Sequence, residues 1–179
     1  MLTIRSAKSE DAQAIAEIGK ASFAQAHPNA APEKILKKYL EEKFNAKKIA
    51  VEIDDNKNIF HLLLYNFRPI GFSKIQLNSI LPIAGKEKTT ELPENNLCKL
   101  ERLYLLEEHH GSGKGLLFHS FLEEYAAKEN QFGIWLTVWV HNKRAIRFYE
   151  KNRYEIMGET NFKLSQDYSN PNFVMIKKF

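Results

Sequence analysis

Apolar positions along the chain follow two periodicities, one near 2 and one near 3.6. Leu2–Arg5 reads as a short strand. Ser9-Glu-Asp-Ala12 then opens a helix, with Ala12, Ile15, Ala16 and Ile18 at helical spacing, and His27-Pro28 ends it. Pro32-Glu33 starts a second helix carrying Ile35, Leu36, Tyr39, Leu40 and Phe44 on one face. Residues 46–54 fit either period, and their Ala and Lys content favours a helix. After the polar break at Asp54–Asn58 the pattern becomes β-like. Ile59–Phe67 and Phe72–Leu77, joined through Asn66-Phe-Arg-Pro-Ile-Gly71, predict an antiparallel hairpin. Residues 82–96, with Pro82, Gly85, Pro93 and two asparagines, read as a loop.

Beyond that loop the spacing predicts a strand at Cys98–Leu106, a Gly-rich turn, and a helix over Lys114–Lys128. Leu117, Phe118, Phe121, Leu122 and Tyr125 are expected inward on that helix. A strand at Ile134–Val140, a short helix at Lys143–Lys151 and two strands, Tyr154–Phe162 and Phe173–Lys178, complete the order. This succession indicates an α+β (mixed α/β) fold, a mixed sheet flanked by helices. No repeat, low-complexity tract or linker interrupts residues 1–179, which read as a single domain.

Composition narrows the class without naming a partner. A chain that is 44% hydrophobic and 27% charged is neither disordered nor collagen-like. The single cysteine, Cys98, excludes an intramolecular disulfide, and no run approaches membrane-span length. The expectation is a soluble, cytoplasmic protein. The formal charge of +4 permits a polyanion partner but does not require one.

Candidate chemistry concentrates in two segments. In Glu107-Glu-His-His-Gly-Ser-Gly-Lys-Gly115, three glycines alternate between a strand and a helix. They let the backbone bend sharply and approach a ligand, while the helix N-terminal amides favour an anion such as phosphate. A nucleoside-triphosphate loop does not fit, because Glu108 stands at its first Gly and Gly115 at the Ser/Thr that holds Mg²⁺. A dinucleotide fingerprint also fails, lacking its third Gly and its ribose-binding acid. In the second segment, Asn142 is a good N-cap, and Asn142, Ala145, Ile146 and Tyr149 share one helical face. Cys98 reads as a buried strand residue and not a nucleophile. His109-His110 lacks further ligands at metal spacing, so no metal is expected.

Together these segments resemble the Gcn5-related N-acetyltransferase (GNAT) superfamily. His110-Gly111-Ser112-Gly113-Lys114-Gly115 matches its Arg/Gln-x-x-Gly-x-Gly/Ala signature with His in the first place. Asn142, Ala145, Phe148, Tyr149, Glu150 and Lys151 match its second, Asn-x-x-Ala-x-x-Phe-Tyr-Glu-Lys-x-Gly-Phe. Arg153 departs from the family's Gly at the helix end, and Asn152 is expected to take over the left-handed cap. The resemblance covers essentially the whole chain. It implies a central, mostly antiparallel sheet, with acetyl-CoA as co-substrate in the splay between the fourth and fifth strands.

The resemblance also implies roles. The backbone of Leu103, Tyr104 and Leu105 would pair with pantetheine. Amides from His110, Gly111, Ser112, Gly113, Lys114 and Gly115 would hold the pyrophosphate, with Asn142, Ala145 and Tyr149 completing the co-substrate site. Tyr149 matches the family's thiolate-protonating tyrosine. Glu101 is the candidate base, against an equal reading as an ion-paired neighbour of Arg102. Acetyl transfer to a primary amine follows by direct attack. The strand Trp135-Leu-Thr-Val-Trp139 and the Leu-Glu-Arg-Leu-Tyr run are similar to PaiA-type spermidine/spermine N-acetyltransferases, which points to a polyamine acceptor. Trp135 and Trp139 are expected to pack under a helix. Two rivals are a protein or peptide N-terminal acetyltransferase and a non-catalytic acyl-CoA-binding sensor. The partner expected is a small-molecule amine, with no nucleic acid and no membrane; a homodimer stays open. Locally, residues 140–153 carry a net +4 and residues 87–108 a net −3, opposed ends suited to CoA phosphates and to a cationic amine.

Overall fold

The computed structural model describes residues 1–82, 92, 93 and 95–179, so most of the predicted loop at 82–96 lies outside the described residues. Seven strands follow the hydrogen-bonded order β1-β2-β3-β4-β5-β7-β6. They are β1 (Leu2–Ser6), β2 (Ile59–Tyr65), β3 (Arg68–Ser79), β4 (Leu97–Leu105), β5 (Gly133–Trp139), β6 (Glu155–Lys163) and β7 (Ser169–Lys178). The helices are α1 (Ala12–Ala26), α2 (Glu33–Lys43), α3 (Ala46–Asp54), α4 (Lys114–Lys128) and α5 (Lys143–Lys151). The ambiguous stretch 46–54 is helical because Asn45 caps it, accepting from the N–H groups of Lys47 (3.0 Å) and Lys48 (3.3 Å).

The chain divides into two compact units. The first holds Met1–Gln76 and Glu101–Leu122. In it β1 pairs antiparallel with β2, and β2 with β3 across the predicted hairpin. Its core is aromatic: Phe23 meets Tyr39 and Phe44 at 4.8 and 5.9 Å between ring centroids, and Tyr104 meets Phe44 and Phe72 at 6.0 and 5.5 Å. Burying a ring such as Phe44 contributes about 2–3 kcal/mol from area alone. The hairpin turn places both Asn66 and Phe67 at positive φ, and it leaves the Phe67 ring exposed.

The second unit holds Leu77–Leu100 and Glu123–Phe179. Here β4 runs parallel to β5 over Leu97–Lys99 and Gly133–Trp135, while β5 and β6 each pair antiparallel with β7. Leu97, Trp135, Val174 and Ile176 form one core cluster, with Leu81, Leu92 and Met157 against it. Trp135 therefore packs among strand residues, and its indole N–H donates to the Ser79 hydroxyl at 2.8 Å.

One inward position was misjudged from spacing. On α4 the fully buried stripe is Phe118, Leu122 and Ala126, joined by His119, whereas Leu117 is 51% exposed. Leu117 lies in the helix's first turn, and the i, i+4, i+8 row that starts at Phe118 takes the core.

Candidate active site

β4 carries the first set of groups. The Leu106 N–H donates to the Ile70 carbonyl at 2.9 Å, and a Cβ on Gly71 would lie 2.6 Å from the Tyr104 carbonyl oxygen. Residues 104 and 106 thus turn their backbone groups toward β3. By strand alternation Leu103 and Leu105 turn theirs to the opposite edge. Gly71 is needed for this close approach, since any side chain there would push on β4's backbone. The Leu105 carbonyl accepts from His110 Nε2 (2.8 Å) and from the Ser22 hydroxyl (3.3 Å). A carbonyl only accepts, so the bond puts a hydrogen on His110 Nε2.

Past β4, a short 3-10 turn at Glu107–His109 leads into the glycines. Gly111 and Gly113 have φ of 71° and 77°, and a Cβ at either would meet nothing within 4 Å. These two are needed for conformation. Gly115 is already inside α4 at ordinary helical geometry, and a Cβ there would make only a 3.7 Å contact with Leu105. Ser112 donates to the His109 carbonyl at 2.6 Å and accepts from Lys114 Nζ at 3.1 Å. The Lys114 ammonium also sits 4.7 Å above the Tyr65 ring, so its charge is held at the flank of the turn.

Glu101 is in an ion-pair cluster. Lys74 Nζ lies 2.9 Å from both Glu101 Oε1 and Glu52 Oε2. Arg102 reaches Glu52 at 3.1 Å and Glu101 at 3.8 Å, with its guanidinium 5.6 Å from the Phe44 ring centroid. The ion-paired reading of Glu101 is thus observed. Glu52 and Lys74 were missed from sequence; the only signal was a lysine inside the apolar run Phe72-Ser-Lys-Ile75.

In the second unit Asn142 caps α5, its Oδ1 accepting from the Ala145 N–H at 3.1 Å. Tyr149 is set by the other end of that helix. The Arg153 N–H donates to Glu150 O and the Tyr154 N–H to Tyr149 O, both at 3.0 Å, which is the Schellman pattern. Its accompanying contact is present, the Tyr149 and Tyr154 rings lying 5.3 Å apart. The left-handed residue is Arg153, φ 67°, and not Asn152, which instead donates from Nδ2 to Phe148 O at 2.7 Å. The Schellman bonds place the left-handed residue one beyond the cap, whatever its side chain. Arg153→Gly is therefore expected to stabilise the fold by about 0.5–1 kcal/mol, since a non-glycine residue there costs roughly 1–2 kcal/mol and Gly returns part in entropy. Thermal unfolding should read this as a rise of about 1–4 °C.

The two tryptophans and the cysteine lie in the interior. Trp135 and Trp139 are buried, and burial pushes the Cys98 thiol up to about 12, so almost no thiolate exists at neutral pH.

A family model described as the acetyltransferase (GNAT) family matches residues 22–153. An uncharacterized N-acetyltransferase of Mycobacterium tuberculosis is 26% identical over 169 residues, covering 94% of this chain and 97% of that protein. Among solved structures, the PaiA N-acetyltransferase of Thermoplasma acidophilum in complex with coenzyme A superposes with a TM-score of 0.74 at 22% identity, covering 100% of this chain and 99% of that one. A spermidine N-acetyltransferase SpeG chimera from Vibrio cholerae and hSSAT gives 0.68 at 17% identity over 99% of this chain and 95% of that one. These two likenesses are of fold; the family model, which spans most of the chain and includes both the turn and α5, decides the class. The chain belongs to the acetyltransferase (GNAT) family: it is an N-acetyltransferase that takes its acetyl group from acetyl-CoA.

Proposed function

We propose that the acceptor is the primary amine of a small polycation, a polyamine of the spermidine or spermine type. The observation that carries the co-substrate half is the pair of left-handed glycines, Gly111 and Gly113, that lead from the turn after β4 into α4. In this reading the pyrophosphate takes the amides from His110 to Gly115. The pantetheine arm extends along β4, using the Leu103 N–H and C=O and the Leu105 N–H, because the Leu105 carbonyl is already held by His110 and Ser22. Asn142 acts by holding the start of α5. Tyr149 gives its proton to the departing CoA thiolate, and Glu101, through water, takes one from the acceptor's ammonium so that the free amine can attack. Supporting the acceptor are the fold likeness to a spermidine enzyme and the acidic bias of residues 87–108.

The test is CoA release from acetyl-CoA over a panel of spermidine, spermine, monoamines, aminoglycosides and short peptides with free N-termini. Turnover confined to polyamines supports the proposal. Turnover confined to peptides makes the chain an N-terminal acetyltransferase, and acetyl-CoA binding without release on any amine makes it a sensor.

Gly115 gives a separate test of the turn. Gly115→Ala relieves a helical glycine worth about 0.5–1 kcal/mol and meets no clash. It should leave melting unchanged or slightly raised while weakening CoA binding about tenfold or more, measured by calorimetric titration. A variant that binds CoA as the parent does would place the pyrophosphate elsewhere.

A further inference from the structure

The cluster around Lys74 contains two carboxylates and two cations, drawn from three elements of the first unit. Glu52 comes from α3, Lys74 from β3, and Glu101 and Arg102 from β4. The cations are the buried members: the Lys74 and Arg102 side chains are 7% and 11% exposed, while those of Glu52 and Glu101 are 27% and 24%. Lys74 stands at the same 2.9 Å from each carboxylate, which makes it a bridge and not the partner of one. Around these four are the Phe60 ring, 5.7 Å from Lys74 Nζ, the Phe44 ring under Arg102, and the phenols of Tyr39 on α2 and Tyr104 on β4.

A carboxylate clamped by two cations alone would be a poor proton acceptor, because protonating it would leave two buried positive charges unopposed. The second carboxylate changes that balance. When Glu101 takes a proton from the acceptor's ammonium, an N–H bond breaks, an O–H bond forms, and Glu101 becomes neutral. Lys74 and Arg102 then keep Glu52 as their counter-ion without moving far. We propose that Glu52 and Lys74 are positioning residues for acetyl transfer, a bridged counter-charge pair that sets how readily Glu101 accepts the acceptor's proton. The inference rests on the reading of Glu101 as the base. The two phenols do not titrate in the same range: burial pushes Tyr104 up to about 12 and Tyr39 also upward.

The experiment is the pH profile of kcat for acetyl transfer to spermidine, or to whichever amine the panel turns over fastest, in the wild type and in Glu101→Gln, Glu52→Gln and Lys74→Gln. Loss of Lys74 removes a positive neighbour, so the acid limb should move up by about one pH unit; loss of Glu52 turns both cations onto Glu101, so it should move down by about one unit. Shifts of opposite sign support the proposal, because a structural role alone would lower both plateaus and leave the midpoint in place. Shifts of the same sign, or none, overturn it. If Glu101→Gln keeps the wild-type limb, the base reading itself is wrong; if that variant loses the limb while the other two keep the wild-type midpoint, only the counter-charge pair falls. Should a neutral variant not fold, carboxyl ¹³C titration of the wild-type protein reads the same coupling. The Glu101 resonance should follow a curve broadened by its charged neighbours, and a simple single-step curve would refute the bridge.

Discussion

Tyr149→Phe is expected to lower kcat by about a hundredfold, roughly 2.7 kcal/mol of transition-state stabilisation, while acetyl-CoA binding stays within about twofold. The substitution removes only the phenol oxygen. The ring that lies 5.3 Å from both Tyr154 and Phe148 remains, as do the Schellman bonds, which are made by backbone. Thermal unfolding of the same variant separates a chemical effect from a folding one. The loss arises because the CoA thiolate must depart unprotonated, raising the barrier for collapse of the tetrahedral intermediate. Since the group lost is an acid, the alkaline limb of the kcat profile should also flatten. Turnover equal to the parent at all pH values, measured by thiol release under saturating acetyl-CoA, would remove Tyr149 from the mechanism.

What could be read from the residues alone divides by range. The bounds of α4 and α5 were legible because their signals are local: a glycine turn before one, an Asn cap before the other. The hairpin was legible for the same reason, but its turn was not: Arg68–Gly71, expected in the connection, are paired in β3, and Asn66-Phe67 alone make the turn. Strand parity was legible on β4, but which parity faces β3 was not, because that follows from the register that seats Gly71 against Tyr104. The ion-pair cluster was invisible, since Glu52, Lys74 and Glu101 come together only once α3, β3 and β4 have packed. Arg153 shows a local preference losing to geometry. Asn tolerates left-handed backbone better, yet the hydrogen bonds from residues 153 and 154 put that conformation one residue later.

Acid should weaken the fold through His61, by about 2 kcal/mol between pH 7 and pH 5. His61 lies on β2 at 2% exposure, its ring 5.0 Å from that of Phe121, and burial pushes it down to about 4. In the unfolded chain an ordinary histidine titrates near 6.5. Above that pH both states are neutral and His61 makes no difference to stability. As pH falls below about 6.5 the unfolded chain binds a proton that the folded protein refuses, so unfolding gains about 1.4 kcal/mol per pH unit. The loss saturates near about 3 kcal/mol, once pH passes below the folded value and the buried ring is also charged. His27, also lowered by burial, adds a loss of the same sign, while Asp11, held down by its Arg5 partner, resists until far lower pH. The measurement is therefore a difference: urea unfolding of the parent and of His61→Gln at pH 7, 6 and 5. The gap between the two proteins should shift by about 2 kcal/mol in favour of the variant across that window, even though the variant loses packing at pH 7. A gap that stays constant with pH would mean that His61 is protonated as easily inside the protein as outside, and that water reaches a ring the fold encloses.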